Sequence, residues 1–354
     1  MWDAWMRRAL ALAALADGHT SPNPLVGAVV LDQHGCLVGE GFHARAGEPH
    51  AEVGALAQAG DRAKGGTLVV TLEPCCHHGR TPPCSEAVLR AGISRVVIAL
   101  KDPDPRVAGG GIAQLRAAGL EVISGVLQTE ATFQNRAFLH RVRTGRPWGT
   151  LKWAMGLDGR TALTNGESQW ISGPTAREWV YRLRSKSDAV IVGGGTVRTD
   201  NPLLTSRGRR IPEPLRVVLS RSMELPAKAQ LWDTTLAPTL VAHGPESQER
   251  PFPSGPDRLL LPTSEPEPLM KELALRGCNR VLWECGPELA AAAIRQGCIQ
   301  DVAVVVAPKL MGGLPARTPL GDLGLTAMDQ VAAGSLLSPE QLGSDWLFQF
   351  RLTA

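Results

Sequence analysis

Four side chains in the first quarter of the chain have the types and spacing of a hydrolytic metal centre: His50, Glu52, Cys75 and Cys84. A zinc ion that activates water needs three protein ligands and one open tetrahedral position. One imidazole and two thiolates supply that set, and the two thiolates balance the metal charge. Fe²⁺ fits the same donors, with zinc as the expectation. Glu52 lies two positions beyond His50, about 200° around a regular helix, so the two cannot share one helix face. At a helix start Glu52 can still lean over the open position, which suits a proton carrier better than a ligand. Cys76, His77 and His78 are rival ligands. Cys75 and Cys84 are preferred because Cys75 follows Pro74 and Cys84 begins a helix, whose positive end favours a thiolate.

The second half carries a weaker signal. No G-x-G-x-x-G follows a strand early in residues 150–354, so a standard dinucleotide fold is not supported. Instead Gly193-Gly194-Gly195-Thr196 follows one apolar run and Glu284-Cys285-Gly286-Pro287 joins another to a helix. Glycines there let backbone N–H groups approach a phosphate, and a helix starting near Pro287 offers its positive end.

The elements that must position these groups alternate. An amphipathic helix from Trp2 to about Ala16 puts Trp2, Trp5, Met6, Ala9, Leu12 and Ala13 on one face, and Asp17-Gly18 ends it. Arg7-Arg8 before an apolar run mimics a secretion signal, but Asp3 and a run of only eight residues, Ala9 to Ala16, speak against one. Leu25 to Leu31 and Cys36 to Gly41 read as strands joined by a tight turn. Helices follow over 51–59, 85–91 and about 129–142, with strands over Thr67 to Leu72 and Arg95 to Leu100. The basic stretch from Arg141 to Pro147 marks the domain boundary, giving domains of residues 1–145 and 146–354. Strands over 150–154, 189–192, 216–219, 280–284 and 301–307, with helices over 174–185 and 287–296, make the second half another α/β layer. Residues 222–270, rich in Pro and Ser, give no catalytic signal.

Composition narrows the partners. A net charge of +3 over 354 residues provides no basic field for a nucleic-acid backbone, so a small molecule is expected and nucleic acid is not. Seven cysteines, three of them between 75 and 84, argue for a reducing compartment and a metal or catalytic role rather than a disulfide framework. No apolar run approaches the ~18 residues of a membrane span, so a cytoplasmic enzyme without a membrane partner is expected. Homo-oligomerisation is left open.

His50-Ala51-Glu52 followed by Pro74-Cys75 and a second cysteine is the pattern of zinc-dependent nucleobase deaminases, except that eight residues instead of two separate the cysteines. That insert, with Ser21-Pro22-Asn23-Pro24-Leu25-Val26-Gly27, Gly39-Glu40-Gly41-Phe42-His43 and Thr71-Leu72-Glu73-Pro74-Cys75, closely resembles the bifunctional pyrimidine deaminase/reductase family of riboflavin biosynthesis. The resemblance extends through Asp158-Gly159-Arg160-Thr161-Ala162, Glu167 to Ile171 and Thr196 to Thr205, and so covers nearly the whole chain. It implies a cytidine-deaminase-like N-terminal domain and a C-terminal domain similar to dihydrofolate reductase. The implied reactions are removal of the 2-amino group of 2,5-diamino-6-ribosylamino-4(3H)-pyrimidinone 5′-phosphate and NADPH reduction of the opened ribose to ribityl.

Carried over by motif, Asn23 and His43 line the base pocket, with Arg80 and Asp102 as further substrate contacts. Ala154, Trp170, Thr196, Asp200 and the run Gly286, Pro287, Glu288, Leu289, Ala290, Ala291 and Ala292 contact NADPH. Ser168, Arg184, Leu204, Arg207 and Glu284 contact the sugar phosphate. The chemistry agrees: hydride transfer needs a proton source, which Lys152 with Asp200 can supply or position, and guanidiniums such as Arg184 and Arg207 pair bidentately with phosphate. Where the family often has Asp after the strand at 216–219, this chain has Ser220-Arg221, which leaves recognition of the NADPH 2′-phosphate unassigned. A deaminase of bases in nucleic acid is the rival reading. It expects an aromatic-rich basic groove, and one Tyr and six Phe give it little support. A zinc-stabilised binding protein would have no need of Glu52.

Overall fold

The computed structural model describes residues 2–77, 82–104, 108–247, 253–314 and 317–353. The chain divides into two compact units, Met1–Thr144 and Gly145–Ala354. In the first, helix α1 (Trp2–Ala14) buries Met6, Ala9, Leu10 and Ala13 while Asp3, Arg7 and Arg8 stay in solvent. Strands β1 (Gly27–Leu31) and β2 (Leu37–Phe42) pair antiparallel, and the Asp32 carboxylate accepts from the N–H groups of His34 and Cys36 to close the turn between them. Next come α2 (Ala51–Ala59), β3 (Thr67–Leu72), α3 (Cys84–Arg90), β4 (Arg95–Leu100), α4 (Gly110–Ala117), β5 (Glu121–Ser124), α5 (Gln128–Gln134) and α6 (Arg136–Thr144). The sheet order is β2-β1-β3-β4-β5, with β3, β4 and β5 parallel.

Strand periodicity divides this core into two layers. Leu68 and Val70 face the cluster of Ala55, Val88 and Leu115 from α2, α3 and α4, whereas Val69 faces the cluster of Met6, Ala9, Ala131 and Phe138 from α1, α5 and α6. The single helix expected near 129–142 is two, because the buried Asn135 between them uses its amide on the chain at Leu25: Oδ1 accepts from Leu25 N–H and Nδ2 donates to Leu25 C=O, both at 2.8 Å. At Gly41 a Cβ would collide with the backbone of Ala51, so glycine lets β2 seat the first turn of α2 directly against the sheet.

The second unit holds β6 (Trp148–Gly156), α7 (Pro174–Ser185), β7 (Ala189–Gly193), α8 (Gly194–Asp200), β8 (Leu215–Leu219), β9 (Thr239–His243), β10 (Asp257–Leu260), α9 (Pro266–Leu275), β11 (Arg280–Trp283), α10 (Pro287–Arg295), β12 (Asp301–Ala307), β13 (Gly334–Leu336), β14 (Glu340–Leu342) and β15 (Asp345–Leu352). Its sheet runs β10-β9-β8-β7-β11-β6-β12-β15-β13, with β14 also on β15. The seven strands from β10 to β12 are parallel. All their carboxyl ends therefore open on one edge, where ligands of such sheets bind.

Candidate active sites

The first site sits where β3 ends and α2 and α3 begin. His50 is the N-cap of α2, with extended backbone (φ −71°, ψ 158°). It therefore stands outside the helix, the angular separation expected within a helix does not apply, and its ring and Glu52 reach the same point. His50 Nδ1 lies 3.1 Å from Cys84 Sγ and 3.7 Å from Cys75 Sγ, and the three donor atoms are all within 4.8 Å of one another. Zinc bonds to nitrogen and sulfur leave tetrahedral donors about 3.5–3.8 Å apart, so these residues fit that ion. Among the described residues no other group of three His, Cys, Asp or Glu side chains converges in this way. Cys76 and His77 stand outside the cluster, and His78 and Arg80 lie outside the described residues.

The Cys75 thiol is held well below its ordinary range by the hydrogen bond from Cys84, and then by the His50 ring and the Cys84 N–H, which donates to Cys75 Sγ at 3.3 Å. Cys84 is pushed up in turn by sharing that proton and by burial. Glu52 is buried, within hydrogen-bond reach of the Cys84 thiol, and burial raises its carboxyl above the usual carboxylate range. Its carboxyl therefore takes up a proton more readily than a surface glutamate, which suits a group that must accept one from water.

Two supports complete this site. His43 is buried and burial pushes its ring toward the neutral form. With Nδ1 donating to Pro49 C=O at 3.2 Å, Nε2 accepts from Asn23 Nδ2 at 2.9 Å, so the expected base-pocket pair is joined. The rings of His43 and His50 meet edge to face at 5.4 Å. Glu73 was not singled out from sequence, although it precedes Pro74-Cys75. Its carboxylate is buried and accepts from the N–H groups of Asp102 (3.2 Å), Gly109 (3.0 Å) and Ile112 (3.0 Å). It thereby pins the cysteine-bearing loop to the end of β4 and the start of α4. Asp102 is itself buried, which lifts its carboxyl to about 6.

The second site is a cavity of about 1050 Å³ along the carboxyl edge of the parallel sheet. It gathers Lys152, Ala154, Ser168, Trp170, Arg184, Thr196, Asp200, Leu204, Arg207, Glu284, Gly286, Pro287, Glu288 and Leu289. Ala290, Ala291 and Ala292, expected beside the cofactor, do not line it. They are buried, and the Ala290 N–H already donates to Gly286 C=O inside α10, so only the first turn of that helix faces the cavity.

Charges in this cavity pair among themselves. Arg184 grips Glu284 bidentately at 2.6 and 3.0 Å, and Lys152 Nζ lies 3.8 Å from the same carboxylate. Burial would raise the Glu284 carboxyl, but the charges of Arg184 and Lys152 hold it below its ordinary value. Burial lowers Lys152, so its proton is given up more readily than that of a surface lysine. Lys152 thus meets Glu284 and not Asp200, whose Oδ1 instead accepts from Ser168 Oγ at 3.3 Å. Sequence reading missed Arg177, Tyr181, Arg198 and Arg317, which also line the cavity. A signal existed for two of them: Arg177, Tyr181 and Arg184 fall at i, i+4 and i+7 on α7. Arg177 lies over the Trp170 ring at 4.5 Å, and Tyr181 is flanked by Arg184 and Arg207.

The fit to the cofactor rests on the same edge. Beside the glycines after β7, Ser220 Oγ and the Arg198 guanidinium both lie within 3.5 Å of where a Cβ on Gly194 would stand. A side chain at Gly194 would thus press on the protein's own Ser220 and Arg198, whereas Gly195 and Gly286, which line the cavity, have no atom nearer than 3.9 Å where a Cβ would stand and leave that room beside their backbone to a ligand.

Residues 2–100 match the model of the cytidine and deoxycytidylate deaminase zinc-binding region, and residues 147–348 match that of the RibD C-terminal domain. A riboflavin biosynthesis protein RibD from Synechocystis is 50% identical over 97% of this chain and 94% of its own length. Two solved structures each cover 99% of this chain and are themselves covered to 99%. RibD of Acinetobacter baumannii has TM-score 0.89 and 39% identity. The Thermotoga maritima diaminohydroxyphosphoribosylaminopyrimidine deaminase/5-amino-6-(5-phosphoribosylamino)uracil reductase has TM-score 0.90 and 34% identity. With a zinc-type donor set in one unit, a charged cavity in the other and relatives matched end to end, this chain belongs to the RibD family, the bifunctional zinc-dependent deaminases and NADPH-dependent reductases of riboflavin biosynthesis.

Proposed function

We propose that residues 1–145 deaminate 2,5-diamino-6-ribosylamino-4(3H)-pyrimidinone 5′-phosphate and that residues 146–354 reduce the ribosyl group of the product to ribityl. The convergence of His50, Cys75 and Cys84 beside a buried Glu52 carries the first half of this reading. Zinc held by these three residues supplies positive charge and an acidified water. Glu52 accepts one proton as water adds to C2 and passes it to the ring nitrogen, then carries the second proton from the new C2 hydroxyl to the amino group, which departs as ammonia. Neutral His43 and Asn23 orient the ring, with Asp102 a further contact.

In the second cavity NADPH supplies a hydride to C1 of the opened ribose. Ala154, Trp170, Thr196, Asp200 and the first turn of α10 hold the cofactor. Ser168, Leu204, Arg207 and Arg184 hold the sugar phosphate, with Glu284 fixing the Arg184 fork. Lys152, its proton loosened by burial, delivers that proton to the atom double-bonded to C1, which stays attached as the hydride adds. Arg198, which lines the cavity beside Ser220, brings a cation to the end of β8, where an acidic residue would instead take a ribose 2′-hydroxyl. This favours NADPH over NADH.

The finer partner reading is a homo-oligomer. Leu336 on the edge strand β13 and Leu337 beside it are exposed, and an uncovered apolar edge is a natural pairing surface. Sedimentation at micromolar concentration checks it, and a monomer would refute it. That none of the seven cysteines is in a disulfide supports a reducing cytoplasm, and no helix among the described residues is long and apolar enough to cross a membrane.

Incubation with the diaminopyrimidinone phosphate and NADPH tests the function. One ammonia released per NADPH oxidised is expected. Ammonia release only from cytosine or adenine in nucleic acid would favour the rival reading.

A further inference from the structure

The Pro- and Ser-rich stretch over 222–270 is silent in the sequence, yet it returns to the second cavity at Gln230. The Gln230 N–H donates to Asn201 Oδ1 at 2.8 Å, and its side-chain amide donates to Asn201 C=O at 2.7 Å. Asn201 opens the segment that carries Leu204 and Arg207 to the cavity. Three non-glycine residues of this segment are left-handed: Asn201 (φ 40°), Leu204 (φ 57°) and Arg207 (φ 59°). The left-handed backbone is strained for Leu204 and Arg207, so the surroundings must hold the segment in place. Arg184 Nη1 holds its middle through Thr205 C=O at 3.1 Å. The Glu213 carboxylate holds its far end, accepting from Ser206 N–H (2.6 Å) and Gly208 N–H (2.7 Å). The near end is held on one side by the Asn201 N–H on Val197 C=O at the end of α8 (3.2 Å) and on the other by Gln230.

The Gln230 loop in turn is gathered by Arg216, a fully buried residue of β8. Its Nη2 donates to the carbonyls of Leu231 (3.0 Å), Asp233 (2.8 Å) and Ala237 (2.8 Å), and its Nη1 makes longer contacts to those of Gln230 and Leu203, both at 3.4 Å. Among the described residues every hydrogen-bond partner of this guanidinium is a carbonyl. An aliphatic side chain would occupy a central parallel strand at far lower desolvation cost. What an aliphatic side chain lacks is a planar fork able to collect carbonyls from a separate loop.

We propose that Arg216 is a positioning residue for the reduction. It fixes the 230–237 loop, which through Gln230 and Asn201 sets the start of the 201–208 segment and hence the placement of Leu204 and Arg207. Arg216 does not line the cavity and touches neither substrate nor cofactor. The inference rests on the reductase assignment above.

The test uses the full-length protein with Arg216→Met, Arg216→Lys and Asn201→Gly. Glycine keeps the left-handed backbone and removes the acceptor for the Gln230 N–H, so this variant decides the matter if Arg216→Met does not fold. KM for the deaminated sugar phosphate should rise about tenfold or more in Arg216→Met and Asn201→Gly, since small misplacements cost up to ~10²-fold. Lysine, which retains some of the donors, should rescue part of the loss. The dissociation constant of NADPH, read by fluorescence, and ammonia release by the deaminase should stay within about twofold. Amide exchange at 201–208 should speed up in both variants. A folded variant with wild-type KM and unchanged exchange there, losing only thermal stability, overturns the proposal. If the wild-type protein fails to reduce at all, the reductase assignment falls instead, and exchange at 201–208, which needs no turnover, still decides the role of Arg216.

Discussion

The two cavities balance charge in opposite ways. In the first, the donor atoms of His50, Cys75 and Cys84 converge within 4.8 Å of one another, a set whose two thiolates call for a divalent cation from outside the chain. In the second, Glu284 stands between Arg184 and Lys152, and the protein supplies its own counter-ions. Function in the first unit should therefore depend on occupancy by an ion, and in the second on the integrity of a buried charge network.

The sharpest way to break the contrast is to remove a ligand. Cys84→Ser should lose nearly all bound metal and nearly all ammonia release, whereas Cys76→Ser should keep both. Metal content by mass spectrometry reads the difference, and the reverse result would move the second thiolate to Cys76. Next in size, Glu52→Gln should keep metal and fold while ammonia release falls by about 10²–10⁴-fold. Unchanged release would remove Glu52 from proton transfer.

The counterpart in the second unit is Glu284→Gln, which leaves Arg184 and Lys152 buried together without a carboxylate. Breaking such a pair costs about 3–5 kcal/mol, and thermal unfolding should register it. The wild-type Glu284 carboxyl is depressed by its two cations despite burial. Its stabilisation is therefore present above the unfolded carboxylate pKa and lost as pH falls through the depressed folded value. The gap between wild type and variant should close on acidification.

The smallest effect is expected at Asp102, raised by burial to about 6. The folded state holds that proton where the unfolded chain has released it, so wild type loses stability as pH rises from about 4 through 6. Asp102→Asn escapes this loss. Its unfolding midpoint should gain on wild type by a few degrees between pH 4 and pH 7, and a constant difference would remove burial as the cause.

The same contrast explains what could be read from the residues alone. The ligands of the first site lie within 35 positions, at the starts of helices whose boundaries, Ala51–Ala59 and Cys84–Arg90, follow from local apolar spacing and Gly92. Glu73 escaped notice because its role depends on three N–H groups of residues 102, 109 and 112, which no local pattern reveals. The second site draws on residues from 152 to 317. There Lys152 could be paired with Asp200 on chemical grounds, but the parallel register that sets β11 between β6 and β7 brings it to Glu284 instead. Asn135, which splits the helix expected near 129–142, acts through a partner 110 residues away. Local order was legible, and long-range satisfaction of buried polar groups was not.

The most direct test of the account is to strip the metal from the full-length protein with a chelator and assay both half-reactions separately. The account predicts that ammonia release from the diaminopyrimidinone phosphate stops and returns on adding Zn²⁺, while NADPH oxidation with the deaminated substrate continues at its original rate. Loss of both activities, or survival of ammonia release without metal, would contradict it.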